Sequence, residues 1–163
     1  MIDINVQNSV YDLSRFIQAQ QCNYKTALAE IKSGQKRTHW MWYIFPQLKG
    51  LGKSATSEYY GIQNLDEAKA FLQDKTLGVH LLEISNALLC LDCDDARIIL
   101  MGSPDNIKLK SCMTLFSVAA PQEQVFKAVL EKFFHGKPDY RTLRLLDVAK
   151  ESVSMNETGR VRH

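Results

Sequence analysis

At 163 residues, with 45% hydrophobic and 23% charged side chains and no low-complexity tract or internal repeat, the chain has the composition of one globular domain. A domain of that size buries a core without metal or disulfide staples. The net charge of +2, from 20 basic and 18 acidic residues, supplies no field that would by itself draw nucleic acid or an anionic membrane. No apolar run approaches the ~18 residues needed to cross a bilayer, and Met1 to Asn5 form neither a basic nor an apolar leader, so a cytoplasmic protein is expected.

Ser9 is placed to cap a first helix over about 10–21, because Val10, Leu13, Phe16 and Ile17 recur at helical spacing. Arg15, Gln18 and Gln20 then face away from most of that stripe. Asn23 can cap a second helix with Tyr24, Ala27, Leu28 and Ile31 as its apolar positions, and Gly34 stands where a left-handed residue would end it.

The densest stretch follows, from Lys36 to Ser54. Both tryptophans, Trp40 and Trp42, lie there with Tyr43 and Phe45, between a basic pair and a Gly-rich basic loop. So much aromatic surface has to be buried, and burial obliges the flanking His39 and Gln47 to find hydrogen-bond partners. Thr38 can cap a helix carrying His39 to Phe45, which Pro46 would stop. Trp42 to Phe45 also suit a strand, but every neighbouring segment reads helical and a lone strand has nothing to pair with. Gly50-Leu51-Gly52-Lys53-Ser54 resembles the end of a phosphate loop, yet Gln47 stands where that pattern needs Gly and no βαβ unit surrounds it. What survives is a softer expectation, an anion near Lys53 and the amides that open the Ser54 to Tyr60 segment.

Asn64 or Asp66 begins the next helix, with Leu65, Ala68, Phe71 and Leu72 apolar. Thr76 caps a longer one, from Leu77 to about Leu91, wide enough in its apolar stripe to be central. Its Gly78 signals either a fraying first turn or close packing. Asp94 or Asp95 opens the segment up to Gly102, and Ser103-Pro104-Asp105 starts a helix with Ile107, Leu109, Met113 and Phe116 inward and Lys108, Ser111 and Thr114 spaced along a polar face. Pro121 opens a helix ending at Gly136, and Asp139 caps a last one. The expected fold is all-α, one compact domain of about eight helices over residues 1–150, with 151–163 a frayed tail.

Cys90-Leu91-Asp92-Cys93 has the spacing of redox and zinc sites but lacks a second ligand pair, so the four cysteines read as reduced thiols. No metal and no cofactor is expected.

The order Arg15-Phe16 with Gln18, His39-Trp40-Met41-Trp42-Tyr43-Ile44-Phe45-Pro46-Gln47-Leu48 and Gly50 to Ser54 resembles the signature of an uncharacterised bacterial family, domain of unknown function 1810. Leu77-Gly78, Gly102-Ser103-Pro104-Asp105 with Lys108-Leu109, Ser111 to Phe116, and Phe133-Phe134-His135-Gly136 with Asp139 continue the match, from about Leu13 to Leu146. The family is similar to a mycobacterial all-helical hypothetical protein, which implies an all-α fold and brings no activity. Some members carry the name calpastatin, a eukaryotic protease inhibitor that a compact bacterial domain does not fit. Cys112 departs from the small hydroxyl residue expected there.

A small-ligand site is expected where the His39 to Ser54 block meets the helix bearing Lys108. His39 supplies an acid or base, Gln47 an amide, Lys108, with Ser111 and Thr114, a cation on a polar face, and Trp40 and Trp42 walls for a planar, anionic, nucleotide-like ligand. Lys53 and Ser54 complete the candidate set, and no triad or carboxylate pair assigns a reaction. The alternative is a protein-docking module exposing some of Trp40, Trp42, Tyr43 and Phe45 as one contiguous patch. Nucleic-acid binding would need Lys36, Arg37, Lys49 and Lys53 to converge.

Overall fold

The computed structural model describes residues 11–147, and every regular element among them is helical. Helix α1 runs over Ser14–Lys32 without a break, where two helices were expected. Asn23 is not a cap: its amide donates to the Tyr43 hydroxyl at 2.9 Å, and a partner twenty positions away replaces the local turn that Asn otherwise favours. Phe16, Gln20, Tyr24, Ala27 and Ile31 therefore fall on one continuous buried face. Gln20 was expected outside; its amide instead donates to the Tyr43 carbonyl at 2.8 Å and accepts from the His80 ring at 2.7 Å. The helix ends as expected, with Gly34 at φ +85° and the Gly34 and Gln35 N–H groups donating to Ile31 and Glu30. The Ser9 cap and the 151–163 tail lie outside the described residues.

The aromatic block makes only one turn of helix, α2 (Met41–Ile44), preceded by Trp40 rather than by a Thr38 cap. No strand forms among the described residues; a single parallel bridge joins Leu48 to Ile62. Four helices follow: α3 (Ala55–Tyr60), α4 (Leu65–Gln73), α5 (Lys75–Leu89) and α6 (Ala96–Ile99). They start where Ser54, Asn64, Asp74 and Asp95 side chains accept first-turn N–H groups. Asp74, not Thr76, caps α5, since its carboxylate takes both the Thr76 and Leu77 N–H groups. Next come α7 (Asp105–Ala119), which has Asp105 in its first turn but no Ser103 cap, and α8 (Gln124–Phe134). Residues 140–147 are helical, and Asp139 caps them through Thr142.

Helix α5 packs against α1, α4 and α8, and α7 against α4 and α8. Phe16, Phe71, Phe116 and Phe126 tie four of these helices together in a chain of rings with centroids 5.1, 5.5 and 5.8 Å apart. Ile107, expected inside, is exposed. No described helix is long and apolar enough to cross a membrane.

Of the two readings of Gly78, close packing holds. A Cβ there would stand 2.0 Å from the Leu72 carbonyl oxygen, which is backbone at the α4–α5 junction and has nowhere to retreat. Gly78→Ala should thus lower stability by about 1–3 kcal/mol, the overpacking penalty exceeding alanine's gain in helix propensity. Denaturant unfolding checks this; an unchanged midpoint would mean that the junction yields.

Candidate functional site

The site is built on an acid in the wrong place for solvent. Glu30 shares the inward face of α1 with Ala27 and Ile31 and is buried. One carboxylate oxygen accepts the Arg37 N–H (2.8 Å), the Thr38 N–H (3.1 Å) and the Trp40 indole N–H (2.9 Å), and the other accepts the Thr38 hydroxyl at 2.9 Å. Burial pushes this carboxyl up, but the four hydrogen bonds outweigh it and hold the pKa down at about 2. Together with the Lys36 N–H on the Ile99 carbonyl at 2.7 Å, they fix the backbone of loop 36–40.

That loop delivers its side chains in two directions. Lys36 turns inward, its ammonium 3.1 Å from an Asp105 oxygen and 5.1 Å from the Trp40 ring centre. Arg37 and His39 turn outward, exposed, with no side-chain ion pair or hydrogen bond among the described residues. They help line a cavity of about 360 Å³ closed by Gln35, Lys36, Leu100, Met101 and Asp105. The second oxygen of Asp105 takes Lys108 at 3.5 Å, and the Lys108 ammonium sits 3.5 Å from the centre of the Trp42 ring. The block and the α7 helix thus meet through Asp105 and Trp42. Lys36, Arg37 and Lys108 outnumber the carboxylates Glu30 and Asp105, so this corner carries a positive excess before His39 is counted.

The remaining candidates have other partners. Trp40 is 1% exposed and its indole N–H belongs to Glu30, so it cannot wall a ligand as expected. The Ser111 hydroxyl donates to Asp139 at 3.2 Å, and the Thr114 hydroxyl accepts the Asp139 N–H at 2.8 Å; both dock the 140–147 helix onto α7. Ser54 caps α3 and Lys53 is exposed beside it, while the Gln47 carbonyl accepts the Ile62 N–H. None of Gln47, Lys53, Lys108 and Ser111 lines the cavity at His39.

Tyr43 and Phe45 are buried with Trp40, and only Trp42 is partly exposed, so the four aromatics form no surface patch; the core claims the rings that docking would need. Nor do the four bases converge: Lys36 is buried on Asp105, and Lys49 pairs with Glu58 at 3.9 Å. The cysteines are unbridged, and no described group of His, Cys, Asp and Glu could hold a metal.

A larger cavity, about 440 Å³, lies beside Arg15 between Asp12 and Glu67. Its cation is already paired, Arg15 reaching Glu67 at 3.3 Å and the Gly61 carbonyl at 3.1 Å, so it has little to offer an anion. Sequence reasoning missed Glu30, Gln35, Leu100 and Met101. The signal for Glu30 was its position, an acid in register with Ala27 and Ile31.

A family model described as "Protein of unknown function (DUF1810)" matches residues 10–146. No curated protein matches. Among solved structures, the chain is similar to the conserved hypothetical protein Rv1873 from Mycobacterium tuberculosis, with 42% identity and a TM-score of 0.83, over 85% of this chain and 99% of that one.

Proposed function

Because the chain belongs to the family of unknown function DUF1810, which brings no activity with it, its own side chains carry the argument, and we propose that it binds a small anionic ligand in the cavity at His39. One observation supports this most: Arg37 and His39 extend unpaired from a backbone that Glu30 pins in place. A backbone already fixed where its side chains meet a ligand lowers the entropic cost of binding. The Arg37 guanidinium offers a planar fork for a phosphate or carboxylate, and His39 a second donor beside it. Lys36 and Lys108 hold Asp105 from both sides, so the one acid in the wall is already neutralised. Lys108 therefore acts on the ligand through Asp105 and not by contact, and Gln47, Ser111 and Thr114 stay outside this smaller site.

A thermal-shift screen of inorganic phosphate, nucleotides and NAD-type compounds tests the reading. At least one anion should raise the melting temperature of the wild type, and Arg37→Ala should lose most of that rise. Lys108→Ala, which releases an Asp105 charge toward the cavity, should weaken it as well. If no anion stabilises the wild type, or if Arg37→Ala responds as fully, the site is not there.

A further inference from the structure

The cavity has a second wall of different chemistry. Met101 supplies its exposed part, since Leu100 is only 1% exposed; Met101 is held in the left-handed region at φ +63° and is 61% exposed. A methionine in that region costs about 1–2 kcal/mol and is kept there by the end of α6, where the Gly102 N–H, at φ +102°, donates to the Arg97 carbonyl at 2.7 Å. The exposed Met101 side chain thus lines the same cavity as Arg37 and His39.

Gln35 completes the rim. Its amide N–H donates to the Met101 sulfur at 3.1 Å, a weak acceptor, and its amide oxygen has no hydrogen-bond partner among the described residues. A ligand that offered a nitrogen or oxygen acceptor and a donor would make better bonds with both ends of this amide. A soft, polarisable sulfur makes favourable contacts with an aromatic ring. A guanidinium, an imidazole, an exposed thioether and an amide lining one cavity are what a ring with hydrogen-bonding edges, joined to a phosphate, would meet. The tryptophans do not compete for that part: Trp40 is enclosed and Lys108 covers the Trp42 face. A volume of about 360 Å³ lies at the low end of ligand cavities, roughly 300–1,000 Å³, and suits one such unit rather than a dinucleotide.

Resting on the anion reading above, we infer that the ligand class is a nucleoside monophosphate. Its phosphate lies against Arg37 and His39, its base on Met101, and the Gln35 amide reads the base edge.

Calorimetric titration of the full chain with inorganic phosphate, ribose 5-phosphate and the four common nucleoside monophosphates separates the two readings. At least one nucleotide should bind about tenfold or more tightly than ribose 5-phosphate. Met101→Gly keeps the left-handed backbone while removing the thioether, and Gln35→Ala removes the amide. Each should collapse the nucleotide's advantage while leaving phosphate affinity unchanged. If ribose 5-phosphate and every nucleotide bind equally, or if both variants retain the advantage, the base-reading wall is wrong and the anion site stands. If phosphate, sugar phosphate and nucleotides all fail to bind, the anion site itself falls.

Discussion

Glu30→Ala should cost about 3–5 kcal/mol of stability, since it strips the partner from two part-buried backbone N–H groups and a buried indole N–H at once. The carboxylate also makes stability depend on pH, and the direction is fixed. Its pKa is about 2 in the folded chain against an ordinary 4.5, so the unfolded chain takes up the proton first as acid is added. The stabilisation is complete above 4.5 and is lost as pH falls from there toward 2. Glu30→Gln keeps the shape but turns an NH2 group toward N–H donors, and it cannot titrate. Urea unfolding at pH 7 and pH 3 should show the wild type losing more stability between the two than Glu30→Gln does. Equal losses would mean that another group supplies the acid sensitivity.

Trp40→Ala should cost as much, about 3–5 kcal/mol, because it opens a cavity where the largest side chain in the core stood and removes one of the Glu30 donors. The ring also packs on Phe45, 6.2 Å between centroids, and lies under Lys36. Trp40→Phe should recover part of the loss, by restoring apolar volume without the indole N–H. Trp42 is only partly buried and carries the Lys108 ammonium on its face, a contact of about 0.5–1 kcal/mol at an exposed site. Trp42→Ala should therefore be clearly milder than Trp40→Ala in the same melting experiment. The reverse order would exchange their roles, with Trp42 as the anchor.

What the sequence disclosed follows from the range over which each interaction acts. Gly34, Asn64, Asp95 and Asp139 end or begin helices through bonds to residues within five positions; short-range rules single out Gly34 and Asp139 and narrow the other two to Asn64 or Asp66 and Asp94 or Asp95. Gly78 signalled a close approach that Leu72 supplies. Asn23 misled the same rules, because Tyr43, not its neighbours, takes its amide. Gln20 looked like a surface residue until His80 and Tyr43 came to it from two other parts of the chain.

Of the candidate site less could be read. His39 lines the cavity, while Lys108 reaches its wall only through Asp105. The spacing of Ser111 and Thr114 also looked like a binding face. Only the fold reveals that Asp139 uses both hydroxyls to dock the last helix. Met101 and Gln35 carry no signature in sequence, since their importance comes from a left-handed turn and a loop that meet only in three dimensions.

The central claim is that Glu30 holds loop 36–40 so that Arg37 and His39 receive an anion. Phosphate titration followed by NMR on the wild type tests it most directly. Saturable shifts should be concentrated in the amides of residues 35–39 and 100–105 and in the His39 ring, and they should vanish in Arg37→Ala. Shifts that fail to saturate, or that centre on Arg15 or on the Gly50 to Ser54 loop, would contradict it.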